Sequence, residues 1–254
     1  MPDPDHTRFG RASASPHGTP ARQNRDRLHQ SAETLPRSHP GGGHHGPVQI
    51  SVVDHPLAHQ ALATLRDRVT DRVAFRHAMD DLAGILVYEA TRSLRTQKYD
   101  LTTPLTGTTG ARVGEPPMAV PTLRAGLGLL PGVLRLLPDA PTGFIGVSRN
   151  EETLQPEPYM NSVPDDLAGR DVLVLDPMLA TGGSAIHACG LLQDRNPGRL
   201  TCVCVLAAPE GVAALDRSGL ADDLVVTAID DHLDDHAYIV PGLGDAGDRL
   251  YGTA

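Results

Sequence analysis

The sequence predicts an α/β protein with a mostly parallel central sheet flanked by helices. Three observations carry this. Short apolar runs alternate with segments of helical spacing from residue 117 onward. One of them, "DVLVLDPMLATGGSAIHACGLL" (171–192), passes from strand to Gly-rich turn to helix in a single stretch. Of 254 residues, 40% are hydrophobic, yet there is no Trp and there are only 3 Phe. The core must therefore be built from Leu, Val, Ile and Ala.

Taken in order, residues 1–47 are dense in Pro, Gly, Ser, His and Arg and almost free of aliphatic side chains. So little apolar surface cannot offset the entropy of ordering, and a disordered N-terminal extension is expected. His39, His44 and His45 cluster there in "HPGGGHHG" and read as a His-rich tail rather than a metal site. The globular pattern begins with "VQISVVDHP" and defines a domain over 48–254. Residues 57–68 and 71–95 form two amphipathic helices, the second with Val73, Ala74, Met79, Leu82, Ile85 and Leu86 on one side. Residues 96–117, rich in Thr, Gly and Pro, form either a long loop or a β-hairpin arm, placed as a lid or in a subunit interface.

Strands follow at 117–123, 142–148, 171–176, 200–208 and 223–229, with helices at 126–137, 183–195 and 210–219. Strand–helix alternation of this kind implies right-handed crossovers. In such a sheet ligands bind beyond the carboxyl ends of the strands, so the chemistry belongs in the segments after residues 123, 148, 175, 208 and 229.

The net charge of −9 offers no basic field to nucleic acid or an anionic membrane. Three cysteines without paired spacing suit a reducing compartment. Cys202 and Cys204 alternate on one strand and should share an apolar layer. No run reaches the roughly 18–20 apolar residues of a membrane span, and no secretory signal is evident, so a soluble cytoplasmic protein is expected. "DDHLDDH" (230–236) reads as a solvent-exposed polar loop rather than a metal cluster.

The turn at Thr181, Gly182, Gly183 and Ser184 combines backbone amides, hydroxyls and a helix N-terminus, which together make a phosphate cradle. It lacks the Lys of a nucleoside triphosphate loop and the spacing of a dinucleotide fingerprint, so a phosphate monoester fits best. Asp176 stands just upstream, placed to accept hydrogen bonds from sugar hydroxyls. Arg124 and Arg149 each follow a strand, and a guanidinium suits paired oxygens such as those of a diphosphate. Two cations in one small site need an anion between them.

"DPMLATGGS" (176–184) resembles the 5-phospho-α-D-ribose 1-diphosphate (PRPP) loop of the type I phosphoribosyltransferases, and the uracil phosphoribosyltransferases in particular. "PTLRAGLG" (121–128), "SRNEETLQPEPY" (148–159) and "YIVPGLGDAGDRLYGT" (238–253) resemble the same branch in the same order. The resemblance implies the type I fold with a hairpin arm and a small C-terminal hood. It implies transfer of phosphoribose from PRPP to uracil, giving UMP and diphosphate in pyrimidine salvage.

Carried over residue by residue, PRPP contacts fall on Arg124, Arg149, Asp176, Pro177, Met178, Leu179, Ala180, Thr181, Gly182, Gly183, Ser184 and Asp245. Uracil contacts fall on Ile239, Gly244, Asp245 and Ala246, with Arg149 and Asp245 as catalytic residues. The resemblance further implies Mg²⁺ bound mainly through the diphosphate, a GTP effector, and a homodimer or higher homo-oligomer. Most of the superfamily carries a second acid where this chain has Pro177. Two other classes compete: an RNA-binding, pyrimidine-responsive regulator on the same fold, disfavoured by the acidic charge, and a non-catalytic scaffold, disfavoured by Arg124, Arg149 and Asp245.

Overall fold

The computed structural model describes residues 46–149 and 156–253. The expected extension, with His39, His44 and His45, lies outside the described residues apart from its last two positions.

Strand β1 (Gln49–Val52) opens the described chain, and helices α1 (Pro56–Arg66) and α2 (Arg72–Ala90) follow. Each helix is started by a side-chain cap: His55 Nδ1 accepts from the Leu57 amide at 3.1 Å, and Asp71 Oδ1 from the Ala74 amide at 2.9 Å. The buried stripe of α2 runs through Phe75, Met79, Leu82 and Leu86, with Ala78, Ala83 and Val87 beside it. This corrects the expected stripe, because Val73 is 61% exposed and Ala74 and Ile85 lie at its margins. Phe75, the largest apolar group in the helix, turns inward and takes the steps of three and four residues with it.

Residues 96–113 form the hairpin rather than a loop: β2 (Thr96–Thr102) pairs antiparallel with β3 (Gly107–Val113). The central sheet then accumulates β4 (Met118–Leu123), β5 (Ile145–Arg149), β6 (Pro156–Asn161), β7 (Val172–Leu175), β8 (Met178–Leu179), β9 (Leu200–Ala207) and β10 (Asp223–Ile229). Its order is β1-β10-β9-β7-β4-β5-β6, with β8 added to the end of β9. Every pairing is parallel except β5 with β6. Helices α3 (Leu130–Leu136), α4 (Gly183–Gln193) and α5 (Pro209–Ser218) connect the strands, and a 3₁₀ turn at Ala125–Gly128 precedes α3. The expected helix at 126–137 is thus two pieces, divided where Pro131 enters the first turn of α3.

Alternate residues of β9 feed two apolar layers, as the period of a strand dictates. Val203 and Val205 join α1, α2 and α3 on one face. Cys202 and Cys204 join α4 on the other, with the Cys189 Sγ 3.7 Å from the Cys202 Sγ, and all three are free thiols. The expectation for these two strand cysteines holds. The C-terminal hood consists of β11 (His232–Leu233) paired with β12 (Ile239–Val240), then α6 (Ala246–Tyr251). Among the described residues no helix is long and apolar enough to cross a membrane.

Candidate active site

The loops at the carboxyl ends of the strands meet at one edge of the sheet. Thr122, buried near the end of β4, donates from Oγ1 to the Leu175 carbonyl at 3.1 Å and so ties β4 to the end of β7. Arg124 follows at once. A Cβ added to Gly126 would stand 2.2 Å from that same Leu175 carbonyl, so the Arg124–Gly126 turn runs directly over the end of β7. The Leu123–Arg124 peptide bond is cis.

Asp176 is the first residue beyond β7 and is 9% exposed. Burial pushes its carboxyl up to about 6 from 3.8, against the opposing pull of the Met178 amide and the Thr122 hydroxyl. Pro177 is buried, and its carbonyl accepts from both the Val205 and Leu206 amides at 3.0 Å. Leu179 sends its side chain into the core at 1% exposure and its carbonyl to the Ala208 amide. The chain is thereby stitched to β9 up to residue 179 and released at Ala180. Thr181 and Ser184 are exposed. Gly182, at φ +85°, is the N-cap of α4, leaving first-turn amides without helical acceptors. The loop is held from behind by β9 and open in front.

The third wall is the hood. Ile239 and Ala246 are buried at 5% and 2%, while Gly244 and Asp245, between them in the chain, are exposed. Gly244 has φ +77°. Asp245 caps α6 by accepting from the Asp248 amide at 2.8 Å. Asp248, which the sequence reading missed, reaches across: its Oδ1 lies 3.7 Å from the Arg124 Nη2, and Thr253 Oγ1 donates to it at 2.5 Å. An added Cβ at Gly247 would lie 3.9 Å from the Ala125 Cβ. The hood and the Arg124 turn are therefore in contact. With Arg124 56% exposed, a pair of this length is weak and readily exchanged for a stronger anion.

Arg149 ends β5 through its backbone, but its side chain lies outside the described residues, as do Asn150–Gln155. One expectation is corrected outright. Asp230, first of "DDHLDDH", is not solvent-exposed but 8% exposed, because the Arg66 guanidinium grips both its oxygens, at 2.6 and 2.8 Å. The remaining acids and histidines of that stretch are exposed apart from Leu233 between them, and no cluster able to hold a metal occurs among the described residues.

The family model for uracil phosphoribosyltransferase matches residues 52–253. A uracil phosphoribosyltransferase of Corynebacterium diphtheriae is 52% identical over 205 residues, covering 81% of this chain and 97% of its own. One from Streptomyces griseus is 52% identical over 210 residues, covering 82% and 100%. Among solved structures, the AQ2163 protein of Aquifex aeolicus is similar with a TM-score of 0.75 and 36% identity, covering 81% of this chain and 99% of that one.

Proposed function

The chain belongs to the uracil phosphoribosyltransferase family, and from that premise we propose how its converging loops carry out the reaction of uracil with PRPP to give UMP and diphosphate. The observation that carries the placement is the meeting of the Arg124 turn, the Asp176–Ser184 loop and the hood at one edge of the sheet.

The 5-phosphate sits on the amides of Gly182, Gly183 and Ser184 and the hydroxyls of Thr181 and Ser184. Pro177, Met178, Leu179 and Ala180 contribute main chain and hold the cradle from behind. Asp176 accepts from the ribose hydroxyls, and Arg124 and Arg149 take the diphosphate, Arg124 exchanging Asp248 for it. Uracil lies on the main chain of Ile239, Gly244, Asp245 and Ala246, whose fixed donors and acceptors suit a flat base with two carbonyls and an imide. Main-chain reading is supported by the burial of the Ile239 and Ala246 side chains and by Gly244, which has none.

A ring nitrogen of uracil attacks the anomeric carbon as the bond from that carbon to the diphosphate oxygen breaks, and the nitrogen's proton passes to the departing diphosphate. The barrier lies in the departing negative charge and the cation-like sugar. Arg124 and Arg149 neutralise the first, while Asp176 and Asp245 orient and stabilise the second. Asp176 and Asp245 would supply hard oxygen donors to Mg²⁺ carried in on the diphosphate. When bound, Mg²⁺ adds charge neutralisation at the leaving group. Most of the catalysis is positioning, without a covalent enzyme intermediate.

The test is formation of UMP from labelled uracil, PRPP and Mg²⁺, run beside cytosine, hypoxanthine and adenine. Uracil alone is expected to turn over. No turnover with any base overturns the reading.

A further inference from the structure

Gly242, in the middle of the hood, is gripped on both sides of its backbone. Its carbonyl accepts from Arg66 Nη1 at 2.8 Å, and its amide donates to Asp230 Oδ2 at 2.9 Å. The same two side chains bind each other, Arg66 Nη1 to Asp230 Oδ2 at 2.8 Å and Nη2 to Oδ1 at 2.6 Å. Four hydrogen bonds therefore join the last residue of α1, the first residue beyond β10 and the two peptide groups flanking Gly242 of the hood. Asp230 is anchored in turn to the central sheet, its amide donating to the Ala207 carbonyl at 2.8 Å.

The geometry of Gly242 makes this grip specific. Its φ is +61°, and a Cβ there would stand 2.0 Å from the Ile239 carbonyl. The chain thus doubles back on Ile239, and the clamp that fixes Gly242 fixes the turn between Ile239 and Gly244. Arg249 braces the far side. Its Nη1 donates to the Leu65 and Leu243 carbonyls, its Nη2 to the Asp67 carbonyl at 2.7 Å, and its guanidinium lies 4.3 Å over the Phe75 ring. The end of α1 is consequently the platform on which the hood rests.

We infer that Arg66 and Asp230 are positioning residues for the base, holding Gly242 so that Gly244–Ala246 is ordered before uracil arrives. The inference rests on the proposed placement of uracil in the hood. Neither side chain belongs to the phosphate cradle or the Arg124 turn. A preordered loop lowers the cost of binding what it touches and leaves distant contacts unaltered, so loss of the clamp falls on uracil and not on PRPP.

The variants are Asp230→Asn, Arg66→Gln, their combination, and the milder Arg66→Lys, assayed for UMP formation with each substrate varied. The expected result for the first two is a uracil KM raised about tenfold, the consequence of leaving one partner of a buried pair alone, with the KM for PRPP and kcat within about threefold. The double variant should be no worse than the poorer single one, and Arg66→Lys should recover part of the loss. Hydrogen exchange in Asp230→Asn should quicken at 239–246 and stay unchanged at 176–184.

A uracil KM unchanged in all variants, or uracil and PRPP KM values rising together, overturns the inference while leaving the enzyme reading intact. A wild-type protein that forms no UMP overturns the reading beneath it. If Asp230→Asn does not fold, Arg66→Lys decides: a selective rise in uracil KM supports the clamp, and none removes it.

Discussion

At the scale of single residues, Asp176 joins stability to function. Its carboxyl titrates at about 6 when folded against 3.8 ordinarily, because burial disfavours the charge. The folded state therefore binds more protons between those values, and stability falls as pH rises through the window from about 4 to 6. Above it, the ionised carboxylate costs on the order of 3 kcal/mol. Asp176→Asn should raise Tm at pH 8 and change it little at pH 4.5, as a calorimetric pH series would show. In the proposed placement Asp176 accepts from the ribose hydroxyls as a carboxylate, so kcat/KM for PRPP should fall below pH 6 in the wild type. The variant should be slower throughout and lack that limb.

Pro177 answers differently from the acid found there in most of the superfamily. Its carbonyl anchors two amides of β9 and its ring is buried, so its work is shape. Pro177→Ala keeps that carbonyl and should cost about 1 kcal/mol. Pro177→Asp places a second carboxylate beside one already raised by burial and should cost about 3 kcal/mol at pH 7, read by urea unfolding.

At the scale of elements, the cradle depends on a helix it does not belong to. Leu179 and Ala180 pass so close to α5 that a Cβ at Gly211 would lie 2.5 and 2.4 Å from their carbonyls. Gly211→Ala should push the loop forward and raise the KM for PRPP about tenfold or more, with the uracil KM little changed. Equal activity would show that the loop tolerates displacement.

The elements legible in the sequence were those whose pattern is local. "VLVL" in β7 and "LTCVCVLA" in β9 are buried at every position and read as strands unaided. Strand β6 carries no strand pattern in the sequence because Pro156 and Pro158 interrupt it, and at an antiparallel sheet edge such prolines are tolerated. Helix α6 was missed because six residues with Gly247 among them carry no period, though Asp245 three before Asp248 is a cap spacing. The proposed phosphate cradle can be read from the sequence because its residues, 176–184, are contiguous. The Arg66–Asp230 clamp was not, since its partners lie 164 residues apart and only the fold brings them together.

At the scale of the whole molecule, the question is how much of the chain the reaction needs. The described residues from Val48 onward close on themselves. The Val48 amide donates to Asp216 Oδ1 at 2.8 Å, and β1 completes the sheet edge beside β10. Among the described residues, both apolar layers are drawn from residues 48–251. The family model begins at residue 52, and the Streptomyces griseus relative is matched over its full length by 82% of this chain. We propose that 48–254 is the catalytic domain and that residues 1–47 contribute neither core nor site. Their Pro-, Gly- and His-rich composition offers too little apolar surface to add a layer. A protein beginning at Gly46 should therefore match the full chain in Tm to within about 2 °C, and in kcat and both KM values to within about twofold. A truncated protein that melts lower would place part of the extension against the fold. One that melts alike but loses uracil turnover would give it a part in the reaction.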